Sequence, residues 1–278
     1  MGSSDLLVRA ASTADGGMLA ELAHASGLGE HDSGADPLYV EHLLTHGRLI
    51  IAEDRNNDPI GYAAAITIGD RLMLTDLFVR PDRQGAGAGR ALLDEVLPCS
   101  TYPMTFSSHD PRAVTLYSRR GMSATWVLLY LRGDPAALSP PLGWRVGTVP
   151  AETAAVLERS ITGLDRSAVY GFWASRPRGA AVVVVNASDR EVAAGAVGGG
   201  GDEYGVSHLS CRSTAEAADA TVAVLAQLTG PARVCLPATH PAVGPLIAHG
   251  FVVADFDLFM TTRPGEPAPP AALSPALY

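Results

Sequence analysis

In the first half of the chain, short apolar runs alternate with amphipathic stretches bounded by cap and turn residues. Runs at 7–10, 48–52, 61–66, 72–79, 103–107 and 124–132 read as strands, and Asp54-Arg-Asn-Asn-Asp-Pro between the second and third reads as a hairpin turn. Helices are expected over 13–26, 37–46, 89–97 and 111–120. Gly47 stops the second of these. The last has Asp110 as N-cap, Pro111 at its first position and Gly121 as its stop. The order is β-α-α-β-β-β-loop-α-β-α-β.

A Pro-rich stretch, 133–143, reads as a linker. The pattern then repeats: a strand at 144–146, a hairpin of 180–186 and 191–197, a helix over 215–228, a strand at 232–236, a helix over 241–249 stopped by Gly250, and a last strand at 251–261. Gly121 and Gly250 lie 129 residues apart, and the hairpins are offset similarly, which indicates an internal duplication. The expected boundaries are a domain over 1–132, the linker 133–143, a second domain over 144–263, and a disordered or loosely packed Pro/Ala-rich tail over 264–278.

Chemistry concentrates in LFVRPDRQGAGAGRALL, residues 77–93. An apolar strand runs into a glycine-rich turn, and the turn opens a helix. Gly85, Gly87 and Gly89 strip side chains from a turn whose backbone N–H groups then point outward, beside the positive end of the helix that starts near Arg90. Such a turn is a cradle for a diphosphate. A Rossmann fingerprint has different spacing and lies near a chain start, and a P-loop needs a lysine, which this chain lacks altogether. The segment Arg83-Gln84-x-x-Gly87-x-Gly89 resembles the acyl-CoA signature Arg/Gln-x-x-Gly-x-Gly/Ala of the GNAT superfamily of N-acyltransferases. Asp110-Pro-Arg-Ala-Val-Thr-Leu-Tyr117-Ser-Arg-Arg-Gly121-Met122 is similar to the family's second segment, with Asp110 in place of its usual Asn.

The resemblance implies an α+β fold of two tandem GNAT-like domains, each a mixed, mostly antiparallel sheet flanked by helices. It implies an acetyl-CoA-dependent N-acetyltransferase that works by direct attack of an amine on the thioester, with no metal. The cofactor-binding set would be Leu77, Phe78, Val79, Arg83, Gln84, Gly85, Ala86, Gly87, Ala88, Gly89, Arg90, Asp110 and Arg112. Tyr117 stands where the family's general acid stands; thiol and phenol pKa values of about 8.5 and 10 are close enough for a proton to pass to the leaving sulfur. Asp76, the second catalytic candidate, could hold a water, accept the amine proton, or be satisfied in a strand-end network. The family's usual Glu at the preceding position is here Thr75. Glu30, His31 and Asp32 lie in the connection that borders the acceptor in this fold, and an acidic rim there favours a cationic amine.

The second copy has lost these features. Cys-Arg-Ser-Thr-Ala-Glu-Ala at 211–217 has no glycine, Glu216 would face a diphosphate, and Leu246 stands opposite Tyr117. An active first domain and a degenerate second one follow. Tyr170, Phe172 and Trp173 could line a pocket or an interface, although core packing is the stronger expectation. His42 and His46 share a helical face without a third ligand, so no metal site is expected.

Composition trims the alternatives. The net charge of −9 argues against nucleic acid, and no run approaches the ~20 apolar residues of a membrane helix. The N-terminus does not read as a signal peptide, and Cys99, Cys211 and Cys235 are odd in number and scattered, which fits a reduced, cytoplasmic setting. The expected partner is a small-molecule or peptide amine, with neither nucleic acid nor membrane; a homodimer stays open. Two other readings share the same cradle: a non-catalytic acyl-CoA-binding or sensing module, and an acyltransferase that uses a different acyl-CoA.

Overall fold

The computed structural model describes residues 6–25, 34–97, 102–200, 202–263 and 265–277. They form two compact units of mixed α+β architecture. The first comprises 1–106, 115–123 and 261–263, and the second 107–114, 124–260 and 264–278.

The first unit runs β1 (Leu6–Ala10), α1 (Gly16–Ala25), α2 (Pro37–His46), β2 (Gly47–Asp54), β3 (Pro59–Ile68), β4 (Arg71–Val79), α3 (Ala88–Val96) and β5 (Tyr102–Ser107). It also holds the C-terminal turn of α4 (Pro111–Ser118). Strands β1 to β4 pair antiparallel in chain order, and β5 joins β4 in parallel. Asp36 caps α2 by accepting from the Leu38 N–H at 3.0 Å, ahead of Pro37. The sheet's middle is built from small residues. Ala63, Ala64 and Ala65 on β3 are buried beneath helices, which can approach closely because nothing larger stands in the way.

The second unit contains β6 (Ser123–Gly133), β7 (Arg145–Val149), α5 (Ala151–Thr162), α6 (Ser167–Ser175), β8 (Ala180–Val185), β9 (Glu191–Gly200), β10 (Glu203–Cys211), α7 (Thr214–Leu225), β11 (Ala232–Pro237), α8 (Val243–Ala248), β12 (Val252–Thr261) and β13 (Ala271–Ala272). Strands β7 to β10 repeat the antiparallel order of the first unit, and β11 joins β10 in parallel. Its core gathers Leu131, Val184, Leu209, Val224, Leu246 and Phe251.

Two expectations about organisation change. The boundary after 132 does not coincide with the compact units: β6 pairs antiparallel with β11, from Ala232↔Gly133 to Pro237↔Leu128, and belongs to the second unit. Within that unit β6 is anchored to β12 by the Trp126–Phe259 ring stack at 4.4 Å and the Tyr130 hydroxyl donating to Asp257 at 2.5 Å. The 264–278 tail is not loose. Ala271, Ala272, Leu273, Ala276 and Leu277 are buried, because a segment rich in Pro and Ala still carries two leucines that can enter a core. Among the described residues no helix is long and apolar enough to cross a membrane.

His42 on α2 is buried. Burial, reinforced by the charge of neighbouring His46, pushes its pKa down to about 4. Between its ordinary value of about 6.5 and that value, the unfolded chain binds a proton that the folded chain does not, so this contribution is complete above about pH 6.5 and is lost as pH falls toward 4. Denaturant unfolding across this window should show stability falling by about 1–3 kcal/mol from this group, and His42→Leu should make the fall shallower. Parallel pH profiles for the two proteins would refute it.

Candidate functional site

The site is set by an irregularity in β4. Against β3, Asp76 lies opposite Ala64 while Leu74 lies opposite Ala65, so Thr75 is an extra residue, a bulge. Pairing with β5 ends at the same place: the parallel register runs from Arg71↔Tyr102 to Leu74↔Thr105 and stops, with the Thr105 hydroxyl donating to the Leu74 carbonyl at 3.0 Å. Beyond Leu74 the strands part. Among the described residues, Asp76 to Val79 have strand partners only on the β3 side, so their other backbone edge faces a cleft. Leu77, Phe78 and Val79 are half-buried there. The Thr75 hydroxyl oxygen is buried at the mouth of this opening without a hydrogen-bond partner.

The glycine turn closes onto the end of the same strand. The Gln84 amide donates to the Val79 carbonyl at 3.0 Å, fixing the start of the turn. Gly85 and Gly87 have φ of +80° and +96°, in the left-handed region that L side chains enter at a cost. Gly87 is the N-cap of α3, and a Cβ at either position would meet nothing within 4 Å, so open space lies above the turn. Gly89 sits closer: a Cβ there would lie 3.6 Å from Leu116 and 3.7 Å from Val79, so the start of α3, the end of β4 and the last turn of α4 converge. Ala86, Ala88 and Arg90 complete the turn and the first helical turn.

Tyr117, in that last turn of α4, is 6% exposed. Its carbonyl accepts from the N–H groups of Arg120 at 2.9 Å and Met122 at 3.2 Å, and Gly121 at φ +79° reverses the chain. Arg120 pairs with Asp94 of α3, which ties the two helices together.

Asp76 is held in a network that sequence reasoning did not contain. It is 4% exposed, and the Tyr39 hydroxyl, from α2, donates to its carboxylate at 2.6 Å. Tyr62 stands on the neighbouring strand, its ring 5.4 Å from that of Phe78, and its hydroxyl accepts the Gly34 N–H at 3.2 Å. Burial, together with the nearby Asp76 charge, holds the Tyr62 phenol well above its ordinary pKa, so it is a proton donor at every physiological pH. The one signal in the sequence is that Tyr39 follows an N-cap and Pro37, a position that turns it inward in the first turn of α2.

The expected phosphate-binding arginines all have carboxylate partners. Arg83 pairs with Asp54 at 3.2 Å, bracing the β2–β3 hairpin. Arg90 lies 3.7 Å from Asp94 one helical turn on. Asp110 accepts the Arg112 N–H at 2.8 Å and pairs with its guanidinium at 2.7 Å, which holds the Asp110 carboxyl below the usual range. Glu30, His31 and Asp32 lie outside the described residues. Among those described, no cluster of His, Cys, Asp and Glu could hold a metal ion. In the second unit Leu246, Tyr170, Phe172 and Trp173 are all buried, so the aromatic group belongs to the core.

Residues 45–121 match the family model described as acetyltransferase (GNAT) domain. Mycothiol acetyltransferase of Clavibacter sepedonicus is 34% identical over 122 residues, which is 41% of this chain and 40% of that relative, so the chain spans well under half of its length. Among solved structures, a candidate acetyltransferase from Pyrococcus horikoshii superposes with a TM-score of 0.75 at 14% identity, covering 100% of this chain and 98% of the other. A tandem GNAT protein from the clavulanic acid biosynthesis pathway gives 0.65 at 15% identity, covering 94% and 100%. A GCN5-related N-acetyltransferase from Sphaerobacter thermophilus gives 0.58 at 15% identity, covering 94% and 97%. At these identities the structural likeness speaks for the fold.

Removing the Tyr39 hydroxyl leaves a buried carboxylate short of a donor. Tyr39→Phe should lower stability by about 1–3 kcal/mol, read as a shifted urea midpoint at unchanged slope. An unchanged midpoint would mean that Asp76 does not depend on the phenol.

Proposed function

Because residues 45–121 match the model of the acetyltransferase (GNAT) domain, we propose that the chain is an acetyl-CoA-dependent N-acetyltransferase acting on a primary amine of a small molecule or peptide. The observation that carries this reading is the parting of β4 from β5 after Leu74, directly below a glycine turn that opens α3. An extended polar arm can lie along the free edge of Leu77, Phe78 and Val79, and a diphosphate can lie over Gly85, Ala86 and Gly87 at the start of α3. The residues present fit that group: the space above the turn is open, and a Cβ would intrude into it. With Arg83, Arg90 and Arg112 paired to carboxylates, the attraction comes chiefly from backbone N–H groups.

Acetyl-CoA supplies the acyl group as a thioester. The backbone N–H groups of the 77–79 segment polarise an acceptor oxygen placed in the cleft. Tyr117 Oη would give its proton to the sulfur that leaves as the amine nitrogen bonds to the acyl carbon and the C–S bond breaks. Asp76, sheltered and hydrogen-bonded to Tyr39, acts on the amine proton through an intervening water. Glu30, His31 and Asp32 would form an acidic acceptor rim that draws a cationic amine. The second domain binds no acyl-CoA of its own. A purely acyl-CoA-binding or sensing protein has no use for Tyr117, and release of free thiol with a panel of amines separates that reading from catalysis; propionyl- and succinyl-CoA run alongside test the acyl group.

Gly87→Glu should abolish acetyl-CoA binding in calorimetry, since a carboxylate would fill the diphosphate's place and repel it. Gly87→Asn, which tolerates the left-handed backbone and adds no charge, should retain more affinity. Equal affinity in Gly87→Glu and wild type would remove the turn from the cofactor site.

Tyr117→Phe should leave acetyl-CoA affinity nearly intact and slow turnover by roughly 100- to 10,000-fold, the range of general acid catalysis. Wild-type turnover in this variant would hand the proton transfer to another group.

A further inference from the structure

The second unit repeats the geometry of the first cleft and fills it with its own chain. Against β9, Val206 lies opposite Val197 and His208 opposite Ala196, so Ser207 is an extra residue, as Thr75 is in β4. The parallel pairing of β10 with β11 runs from Tyr204↔Ala232 to Val206↔Val234 and stops at the bulge, as β4 and β5 stop at Leu74. In the first unit, among the described residues, no further strand enters the gap. In the second, β13 does. It pairs antiparallel with β10, Leu209↔Ala272 and Ser210↔Ala271, while the Leu273 N–H donates to the Cys235 carbonyl of β11 at 2.9 Å. The tail therefore hydrogen-bonds to both arms of the wedge. Leu273 and Leu277 are each 1% exposed, and the Leu277 N–H donates to the Ser274 hydroxyl at 3.0 Å, closing the segment into the core.

The helix end beside this cleft is filled as well. α7 begins after Ser213, in a turn with no left-handed residue among those described. Glu216, in its first turn, accepts from the Ser213 hydroxyl at 2.8 Å, the Arg190 guanidinium at 2.6 Å and the Asn186 amide at 3.3 Å. A carboxylate of the chain thus stands at the positive helix end. Below, the residue after each bulge is buried and polar: Asp76 in the first unit, and in the second His208, bonded to Glu158 at 3.0 Å and stacked on Trp173 at 5.2 Å.

We infer that the second unit is self-liganded: residues 271–273 occupy its counterpart of the acyl-CoA groove as an internal strand, and Glu216 takes the anion's place at the helix end. Naming the groove rests on the acyltransferase reading of the first unit; the insertion itself rests on the strand register alone. The vacated form of this cleft is a β-augmentation site for an extended peptide whose sequence is the chain's own C-terminus.

Hydrogen exchange on the full-length protein tests the insertion directly. The Leu273 amide should be protected at least 100-fold over an unstructured chain, and exchange at the unstructured rate would overturn the inference. A chain ending at Arg263 should melt about 5 °C lower or more and exchange the amides of 207–211 at least tenfold faster. A synthetic peptide of residues 265–278 should restore both, and unchanged melting and exchange, or no recovery with peptide, would overturn it. Should that truncation fail to fold, full-length Ala272→Asp, which puts a charge into the filled cleft, should accelerate exchange at 209–211, and unaltered exchange there would overturn it. Calorimetry of the full-length protein should give one acetyl-CoA per chain. Two sites would sink the inference, whereas none at all would count against the acyltransferase reading and leave the exchange result standing.

Discussion

A bulge adds one residue to one strand of a pair, so the side chains beyond it change faces and the strand bends. In β4 that residue is Thr75, and its effects accumulate within four positions. The parallel partner cannot follow the bend and drops away after Leu74. Asp76 lands on the inner face, where only hydrogen-bond donors make a carboxylate tolerable, and Tyr39 supplies one. Backbone groups past the bulge lose their neighbour on one side, and buried peptide groups need partners. A bound ligand or an inserted strand can each provide them. The second unit takes the latter route, while among the described residues no strand covers the matching edge of β4, which is why the two clefts differ although the strand orders agree.

Charge around the glycine turn follows a similar logic. The chain carries a net charge of −9, and its arginines near the turn are engaged by Asp54, Asp82, Asp94 and Asp110. Apart from Arg83–Asp54, whose carboxylate is buried, these exposed pairs contribute little stability individually. Their effect is to keep the turn's surroundings near neutral, so that an anion there would meet only short-range attraction, set by the shape of the backbone at Gly85 and Gly87.

Legibility from sequence tracked how local the cause was. Helix α4 could be bounded because Asp110, Pro111 and Gly121 act within one or two residues of themselves. The turn at 83–89 could be read because its glycines are needed by its own φ angles. Strand β10 was missed, since the bulge at Ser207 breaks the alternation of EYGVSHLSC and puts a histidine among its buried residues. Helices α5 and α6 carry little signal of their own: SAVYGFWAS is too uniformly apolar to show a helical period, and α5 has a stop at Gly163 but no side-chain cap at its start. Tyr39 and Tyr62 meet Asp76 from 37 and 14 positions away, and nothing in a linear pattern announces such a meeting. The tail's composition argued for looseness, whereas its two leucines and the waiting backbone edge of β10 decide the outcome.

The division of the chain between the units has a consequence for its synthesis. Residues 261–263 belong to the first unit, where Thr262 donates to Pro103 and the Arg263 guanidinium lies over the Tyr102 ring and pairs with Asp70. Strand β6, encoded in the first half, belongs to the second unit. A ribosome that has finished residue 132 has therefore made neither unit in full, and the first unit waits for residues 261–263 before it is complete. Each unit is assembled from separated stretches of the chain, so neither can be cut out as a continuous stretch of the gene.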